Sequence, residues 1–166
     1  LALRTGSKFI MDLLVFVFII FIGFAGMEII SYLVHRFVFH GLFWKIHKSH
    51  HEAHHGLFEA NDLFSLFFAS VSIGFMYLGY QDPVNSTFFA LGTGIAIYGV
   101  LYFIIHDLFA HKRFLPFSSD SKIMKLVRRA HQRHHQSVDK EGQEPYGLFL
   151  FPYDEYPEHK RRREQP

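Results

Sequence analysis

The chain has 166 residues, of which 49% are hydrophobic, 21 are Phe, 13 are His and none is Cys. The length fits one domain, residues 1–166, and the absence of Cys excludes disulfides, thiolate metal sites and cysteine nucleophiles. A net charge of +2, with the aromatic residues held in apolar runs instead of alternating with Lys and Arg, argues against nucleic-acid binding.

Three apolar runs predict membrane-spanning helices, at residues 9–34, 63–80 and 88–105. The first exceeds the roughly 20 residues that cross a bilayer and lacks the pattern of a cleaved signal peptide. The other two are free of charge, and a short polar turn at 81–87 joins them as an antiparallel hairpin. A soluble bundle would have no place to bury such runs, so we predict an all-α integral membrane protein with three or four transmembrane helices.

The basic residues predict the orientation of these spans. Of the 17 Lys and Arg, 15 lie in residues 36–62 or after residue 105, and the 81–87 turn has none. The positive-inside rule then places a histidine-rich helical cap, residues 35–62 and 106–166, on the cytoplasmic face of the cell membrane. Arg4 and Lys8 oppose this orientation if there are three spans, which leaves the number of spans and the N-terminal orientation open.

Two polar segments follow the third span. Residues 121–133 have an apolar side and a basic side, which predicts an amphipathic helix at the cytoplasmic interface. Residues 158–165 form a charge run, which is typical of a solvated tail attracted to anionic headgroups.

Ten of the histidines form a pattern that occurs twice, each time after an apolar run. Each copy is an HxxxxH followed by an HxxHH: His35, His40, His47, His50 and His51, then His106, His111, His131, His134 and His135. On a helix, HxxHH places three imidazoles on one face, as a donor set for one metal or a set split between two. The ends of HxxxxH are about 140° apart, so they would bind different sides of a cluster, or the helix would break between them. Ten imidazoles exceed the needs of one metal and suit two metals with about five each. We predict that these ten histidines are metal ligands. The sequence does not say which of them bind which metal.

The remaining histidines, His54, His55 and His159, fall outside this repeat, and whether the first two touch the site stays open. His51, Glu52 and His55 also match the H-E-x-x-H pattern of zinc proteases. Gln136 takes the place of Glu52 in the second copy, and Gly56 indicates that a helix would end there. A membrane zinc protease is therefore a less favoured alternative.

Several segments resemble the bacterial beta-carotene hydroxylases, within the fatty acid hydroxylase superfamily of membrane histidine-box oxygenases. They are GMEIISYLVHRFVFHG (26–41), HKSHHE (47–52), FEANDLF (58–64), YGVLYFIIHDLFAHKR (98–113), and AHQRHH with KEG (130–135 and 140–142). The resemblance covers residues 26–147. The departures from the family pattern are His54 with His55 and the loosely matching segment after Gly142.

The resemblance implies a non-haem di-iron monooxygenase that uses O2 to hydroxylate C3 of beta-ionone rings, converting beta-carotene through beta-cryptoxanthin to zeaxanthin. By the same resemblance, canthaxanthin would give astaxanthin, and a ferredoxin-type donor would supply electrons at the cytoplasmic face. The ten histidines would hold two irons, which zinc could replace in a purified sample. The residues agree with this, because a hydrocarbon substrate dissolves in the bilayer and C–H oxidation requires a redox-active metal.

A carotenoid ketolase and a sterol or fatty-acid hydroxylase would use the same scaffold, and a non-enzymatic metal carrier is a third possibility. The sequence leaves the oligomeric state open and predicts no catalytic residue beyond the ligands. Candidates for orienting an imidazole N–H are the polar residues near the boxes: Glu28, Glu59, Asn61, Asp62 and Asp107. Helix capping is an equally good interpretation of Asn61 and Asp62. A channel for a polyene could be lined by phenylalanines of the apolar runs and their flanks: Phe64, Phe67, Phe68, Phe103 and Phe109. Contact with lipid is the more frequent role of such residues.

Overall fold

The computed structural model describes residues 2–52 and 56–153, with side chains from residue 6 onward, and this part of the chain contains helices and no β-strand. The elements in chain order are α1 Ala2–Leu33, the π-helix π1 Val34–Leu42, α2 Trp44–His51, α3 Asp62–Gly79, α4 Thr87–Tyr102, the π-helix π2 Phe103–Ala110 and α5 Lys122–His134. The charge run at 158–165, His54, His55 and His159 lie outside the described residues.

Within the described part of the chain, three helical segments are long and apolar enough to cross a membrane: Gly6–Leu42, Asp62–Gly79 and Thr87–Ala110. They carry outward-facing side chains such as Phe18, Phe21 and Ile73, each more than half exposed, as expected for contact with lipid. The prediction of an all-α membrane protein with at least three spans is therefore confirmed.

Helix α4 lies between α1 and α3 and packs on both through small residues. A Cβ on Gly94 would lie 2.3 Å from the Ile20 carbonyl oxygen of α1, and one on Gly92 would lie 2.8 Å from the Ser72 carbonyl oxygen of α3. The Ser72 hydroxyl donates to the Gly92 carbonyl oxygen at 2.8 Å. These contacts bring the helix backbones close together, as is common between membrane helices.

The helices α1 and α4 change to π-helices where the two HxxxxH boxes begin. In this geometry the N–H of His111 donates to the carbonyl oxygen of His106, five residues earlier, at 2.9 Å. The wider turn brings residues five apart towards one side, whereas an α-helix would separate them by about 140°. Each HxxxxH pair thus lies in or beside a π-helical segment, and its two histidines belong to the same group of candidate ligands.

The histidine-rich cap consists of α2, α5 and an irregular C-terminal segment. The amphipathic helix predicted at 121–133 is present as α5, which buries Val127, Ala130 and His134. After α5 the chain runs back over the ends of α1 and α4, and we call residues 137–150 the C-terminal strap. These elements enclose the histidine side chains.

Candidate metal centre

The ten predicted histidines lie together as two groups of five, and within each group the candidate ligand atoms are within 4.8 Å of one another. Cluster one comprises His35, His40, His47, His51 and His134, and cluster two comprises His50, His106, His111, His131 and His135. Each HxxxxH stays within one cluster, whereas each HxxHH contributes to both. Of the two alternatives for HxxHH, one metal or a split between two, the structure has the split, but the spacing alone does not say which histidine belongs to which cluster.

Imidazole nitrogens within each cluster are spaced as ligands of one metal would be. In cluster one the Nε2–Nε2 distances are 2.9 Å for His35–His47, 3.2 Å for His47–His51 and 3.3 Å for His40–His134. In cluster two they are 3.0 Å for His50–His106 and 2.6 Å for His111–His131. Two nitrogens about 2.1 Å from a metal and at right angles to each other would be about 3.0 Å apart. Both clusters therefore have the spacing of a metal coordination shell.

The tautomers of His40 and His134 follow from their other ring nitrogens. His40 Nδ1 lies 3.0 Å from the Lys140 carbonyl oxygen, and His134 Nδ1 contacts the Gln143 carbonyl oxygen. A carbonyl only accepts hydrogen bonds, so both Nδ1 atoms carry the proton. The two Nε2 lone pairs then face each other, an arrangement that a cation between them would stabilise.

Burial keeps the clustered imidazoles outside the membrane spans neutral. It is the main cause that lowers the pKa of His47 to about 2, of His134 to about 3 and of His51 to about 4. In cluster two, burial and neighbouring imidazoles lower the pKa of His111 to about 2 and that of His131 well below its usual value. At neutral pH these groups are unprotonated, which is the form that binds a metal.

Cluster two has carboxylates around it, joined by a buried arginine. His50 Nδ1 lies 3.0 Å from Glu59 Oε2, and the Arg113 guanidinium lies 3.0 Å from Glu59 Oε1. Arg113 also donates to Asp62 Oδ2 and to Asp107 Oδ1, both at 2.7 Å. A single cation thus holds three carboxylates beside the cluster, one of which orients an imidazole.

The five predicted orienting residues divide into three cases. Glu59 contacts His50, and Asn61 Oδ1 lies 2.7 Å from His47 Nδ1. Asp62 accepts from the Glu59 N–H and from Arg113, and Asp107 Oδ1 is 3.6 Å from His106 Nδ1, beyond hydrogen-bond distance. Glu28 instead accepts hydrogen bonds from Tyr98 and from the backbone N–H groups of Phe149 and Leu150.

Sequence reasoning missed Arg113 and the contribution of the strap. Arg113 follows His111 by two residues in an ordinary basic pair, and the strap contributes backbone carbonyls, which leave no signal in a sequence. The special role of Gly142 could have been suspected from the sequence, because this glycine ends the KEG segment that resembles the family. It has φ +64°, and a Cβ there would lie 2.6 Å from His40 Nδ1, so this position favours glycine.

Of the protease pattern, the structure describes His51 and Glu52, whereas His55 lies outside the described residues. Helix α2 ends at His51, and Glu52 has extended backbone angles. The Glu52 carboxylate pairs with Lys48 at 2.8 Å, and both side chains are about half exposed. Glu52 is therefore a surface residue and is not placed as a general base.

An apolar cavity of about 470 Å³ lies between α1, α3 and α4 and reaches cluster two. His106, Asp107 and Asn61 line its polar end, while Ile73 and Met76 line its apolar part. Of the five phenylalanines considered from the sequence, Phe64, Phe68 and Phe103 line this cavity, Phe67 is 59% exposed, and Phe109 is buried against Phe117. The cavity provides an approach to the cluster from the membrane-spanning part of the protein.

Comparisons with known proteins find relatives that match most of the chain. The model of the fatty acid hydroxylase family matches residues 20–156. The chain is 38% identical over 136 residues to the beta-carotene hydroxylase of Pantoea ananas, covering 81% of this chain and 76% of that protein. For the beta-carotene hydroxylase of Pseudescherichia vulneris the identity is 35%, covering 79% and 74%. No solved structure matches the chain significantly.

Plant proteins match over a smaller share of their length. The chloroplastic beta-carotene 3-hydroxylase 1 of Arabidopsis thaliana is 39% identical over 132 residues, which cover 77% of this chain and 42% of that protein. The chain thus spans about three quarters of the bacterial relatives and less than half of the plant relative.

Proposed function

Because the chain belongs to the fatty acid hydroxylase family, we propose that it is a carotenoid monooxygenase that hydroxylates C3 of beta-ionone rings with O2. Beta-carotene would give beta-cryptoxanthin and then zeaxanthin, and canthaxanthin would give astaxanthin. The bacterial and plant relatives are named for hydroxylation of beta-carotene, which supports this substrate class. The observation that carries the proposal is the apolar cavity that ends at His106 of cluster two.

The cavity fits a substrate made almost entirely of hydrocarbon. Its apolar side chains, such as Ile73, Met76 and Val100, come from the membrane-spanning helices α3 and α4. A carotenoid dissolved in the bilayer could enter between these helices without crossing water, and burial of its ring would be favourable by about 25 cal/mol per Å². The ring would then lie with His106 on its polar side.

The donor sets fit two irons, one held by each cluster of five imidazoles. Five ligands leave an open position on a six-coordinate metal, and nitrogen donors suit iron. When bound, the irons supply the redox chemistry that activates O2 and oxidises the C–H bond, which zinc cannot do. Zinc found in a purified sample would therefore be a substitute.

The residues of this chain hold and orient the metal ligands. The Nδ1 contacts of the imidazoles fix their tautomers so that the Nε2 lone pairs point into the clusters. Arg113 keeps Glu59 in place beside His50, and the buried packing excludes water from the ligands. We propose no acid or base residue beyond these ligands.

We also propose that the cap faces the cytoplasm of a cell membrane, where a ferredoxin-type donor would supply electrons. The support is the charge distribution, since 15 of the 17 Lys and Arg lie in the segments that carry the cap or follow it. An acidic electron carrier would be attracted to this side.

The direct test is pigment analysis of cells that make beta-carotene and express the chain. We expect zeaxanthin, with beta-cryptoxanthin as the intermediate. Echinenone would identify a ketolase, and unchanged beta-carotene would contradict the proposal. Hydroxylated sterols or fatty acids without hydroxylated carotenoid would identify a sterol or fatty-acid hydroxylase instead.

Filling the cavity should impair substrate binding without removing metal. Ala96 lines the cavity, and Ala96→Phe would occupy the space proposed for the ring. We expect kcat/KM for beta-carotene to fall about 100-fold, corresponding to about 2.7 kcal/mol, with unchanged iron content. The matched control is Ile97→Phe, because Ile97 is the next residue and is 43% exposed. Equal effects of the two variants would argue against this cavity as the substrate site.

Glu52→Gln should leave zeaxanthin formation within about twofold of the unchanged protein. The substitution removes only the surface pair with Lys48, and such pairs contribute about 0–1 kcal/mol to stability. Pigment yield per unit of protein measures this. Loss of activity in Glu52→Gln, together with retained activity in His131→Ala, would revive the protease interpretation.

A further inference from the structure

Glu28 is a buried carboxylate inside the first membrane-spanning segment, with only 4% of its surface exposed. Its Oε1 accepts hydrogen bonds from the backbone N–H groups of Phe149 and Leu150, both at 2.8 Å, and its Oε2 accepts one from the Tyr98 hydroxyl at 2.8 Å. One buried side chain thus accepts three hydrogen bonds, two from the strap backbone and one from α4. Glu28 therefore fastens the end of the C-terminal strap to α1 and α4.

The strap holds four of the five imidazoles of cluster one through its backbone. The imidazole Nδ1 atoms contact strap carbonyl oxygens in the pairs His51–Ser137 (2.9 Å), His40–Lys140 (3.0 Å), His35–Tyr146 (2.8 Å) and His134–Gln143. Cluster two differs, because His50 has the Glu59 side chain as its Nδ1 partner. Displacement of the strap would therefore affect cluster one selectively.

We propose that Glu28 is a positioning residue for the metal of cluster one, acting through the strap; this rests on the proposed function, in which the clusters hold metals. Only two residues separate Tyr146, whose carbonyl contacts His35, from Phe149, which Glu28 binds. So short a connection transmits a shift at Glu28 to the carbonyls that orient the imidazoles.

Two further features identify Glu28 as the main anchor of the strap. A Cβ on Gly147 would lie 2.8 Å from Glu28 Oε1, so the strap backbone is seated directly against the carboxylate. An ion pair of Arg36 with Glu144 at 2.8 Å also reaches the strap, but its side chains are 44% and 45% exposed. Exposed pairs of this kind contribute little to stability.

The test compares variants of the full chain, purified in detergent and loaded anaerobically with iron(II). Glu28→Ala should weaken iron binding at cluster one by about 10- to 100-fold and leave cluster two unchanged. Glu28→Gln keeps a carbonyl acceptor for the strap and should largely restore binding. Gly147→Ala, which disturbs the same contact from the strap side, should act like Glu28→Ala. Hydrogen exchange at Phe149 and Leu150 should accelerate in both damaging variants.

The control for general loss of packing is Gly92→Ala, since a Cβ there would lie 2.8 Å from the Ser72 carbonyl oxygen, between α4 and α3. It should not reproduce the selective weakening. To identify the affected site, Glu28→Ala is added to His131→Ala, which damages cluster two, and the double variant should bind its remaining iron about 10- to 100-fold more weakly than His131→Ala alone. Wild-type protein without bound iron would contradict the proposed function and this proposal together. If wild-type protein binds two irons and Glu28→Ala binds them with the same affinities, this proposal alone is overturned. Equal weakening of iron binding at both clusters in Glu28→Ala would overturn it as well.

Discussion

His131→Ala should abolish zeaxanthin formation and remove the metal of cluster two. His131 Nε2 lies 2.6 Å from His111 Nε2, and burial keeps the pKa of this imidazole well below its usual value, so the side chain presents a neutral donor to the cluster. Loss of groups that only orient a ligand typically costs 10- to 100-fold in metal affinity or activity. Loss of the ligand itself should exceed that range, and we expect a fall of more than about 100-fold in pigment turnover.

Two controls belong with this variant. Gln132 is the next residue of α5 and is exposed, so Gln132→Ala should keep near-normal turnover and metal content. His55→Ala should also retain most of the activity, because His55 falls outside the duplicated pattern. Wild-type turnover in His131→Ala would contradict the assignment of the second HxxHH box as a ligand box.

Arg113→Ala should destabilise the protein more than any other single charge change at the cap. It would leave Glu59, Asp62 and Asp107 without their shared cation, and the side chains of Arg113, Glu59 and Asp107 are only 11%, 7% and 9% exposed. Removing one partner of a buried ion pair typically costs about 3–5 kcal/mol. Iron binding at cluster two should also weaken, because Glu59 would no longer be held beside His50. Chemical unfolding in detergent and iron titration measure the two effects.

Arg113→Lys should be intermediate, since a lysine keeps the charge but cannot place two separate nitrogens on Asp107 and Asp62 as Arg113 does. The control is Lys125→Ala, which removes a pair with the fully exposed Asp120 and should leave stability unchanged. Equal stability of Arg113→Ala and the unchanged protein would show that the carboxylates do not depend on this cation.

The fold class and the ten clustered histidines could be predicted from the sequence because both are patterns of local composition. Apolar runs of sufficient length predict spans, and a duplicated spacing of histidines indicates a shared site. The division into clusters could not be predicted in the same way. His50 and His51 are adjacent in sequence but belong to different clusters, because successive side chains on α2 point about 100° apart and the tertiary packing decides which cluster each one reaches.

The site features that escaped prediction depend on the backbone or on distant packing. The prediction for the i, i+5 boxes uses α-helical geometry, whereas π1 and π2 bring His35 near His40 and His106 near His111. The sequence makes Glu28 a candidate for orienting an imidazole, yet it accepts hydrogen bonds from backbone N–H groups more than 100 residues away. Contacts of this kind leave no periodic signal.

The central claim is that two irons are held by two sets of five histidines. Its most direct test is the iron content of active, iron-loaded protein, combined with X-ray absorption at the iron edge. We predict about two irons per chain with a ligand shell of about five nitrogens each. A single metal per chain in active protein, or a shell of four ligands typical of zinc, would contradict this claim.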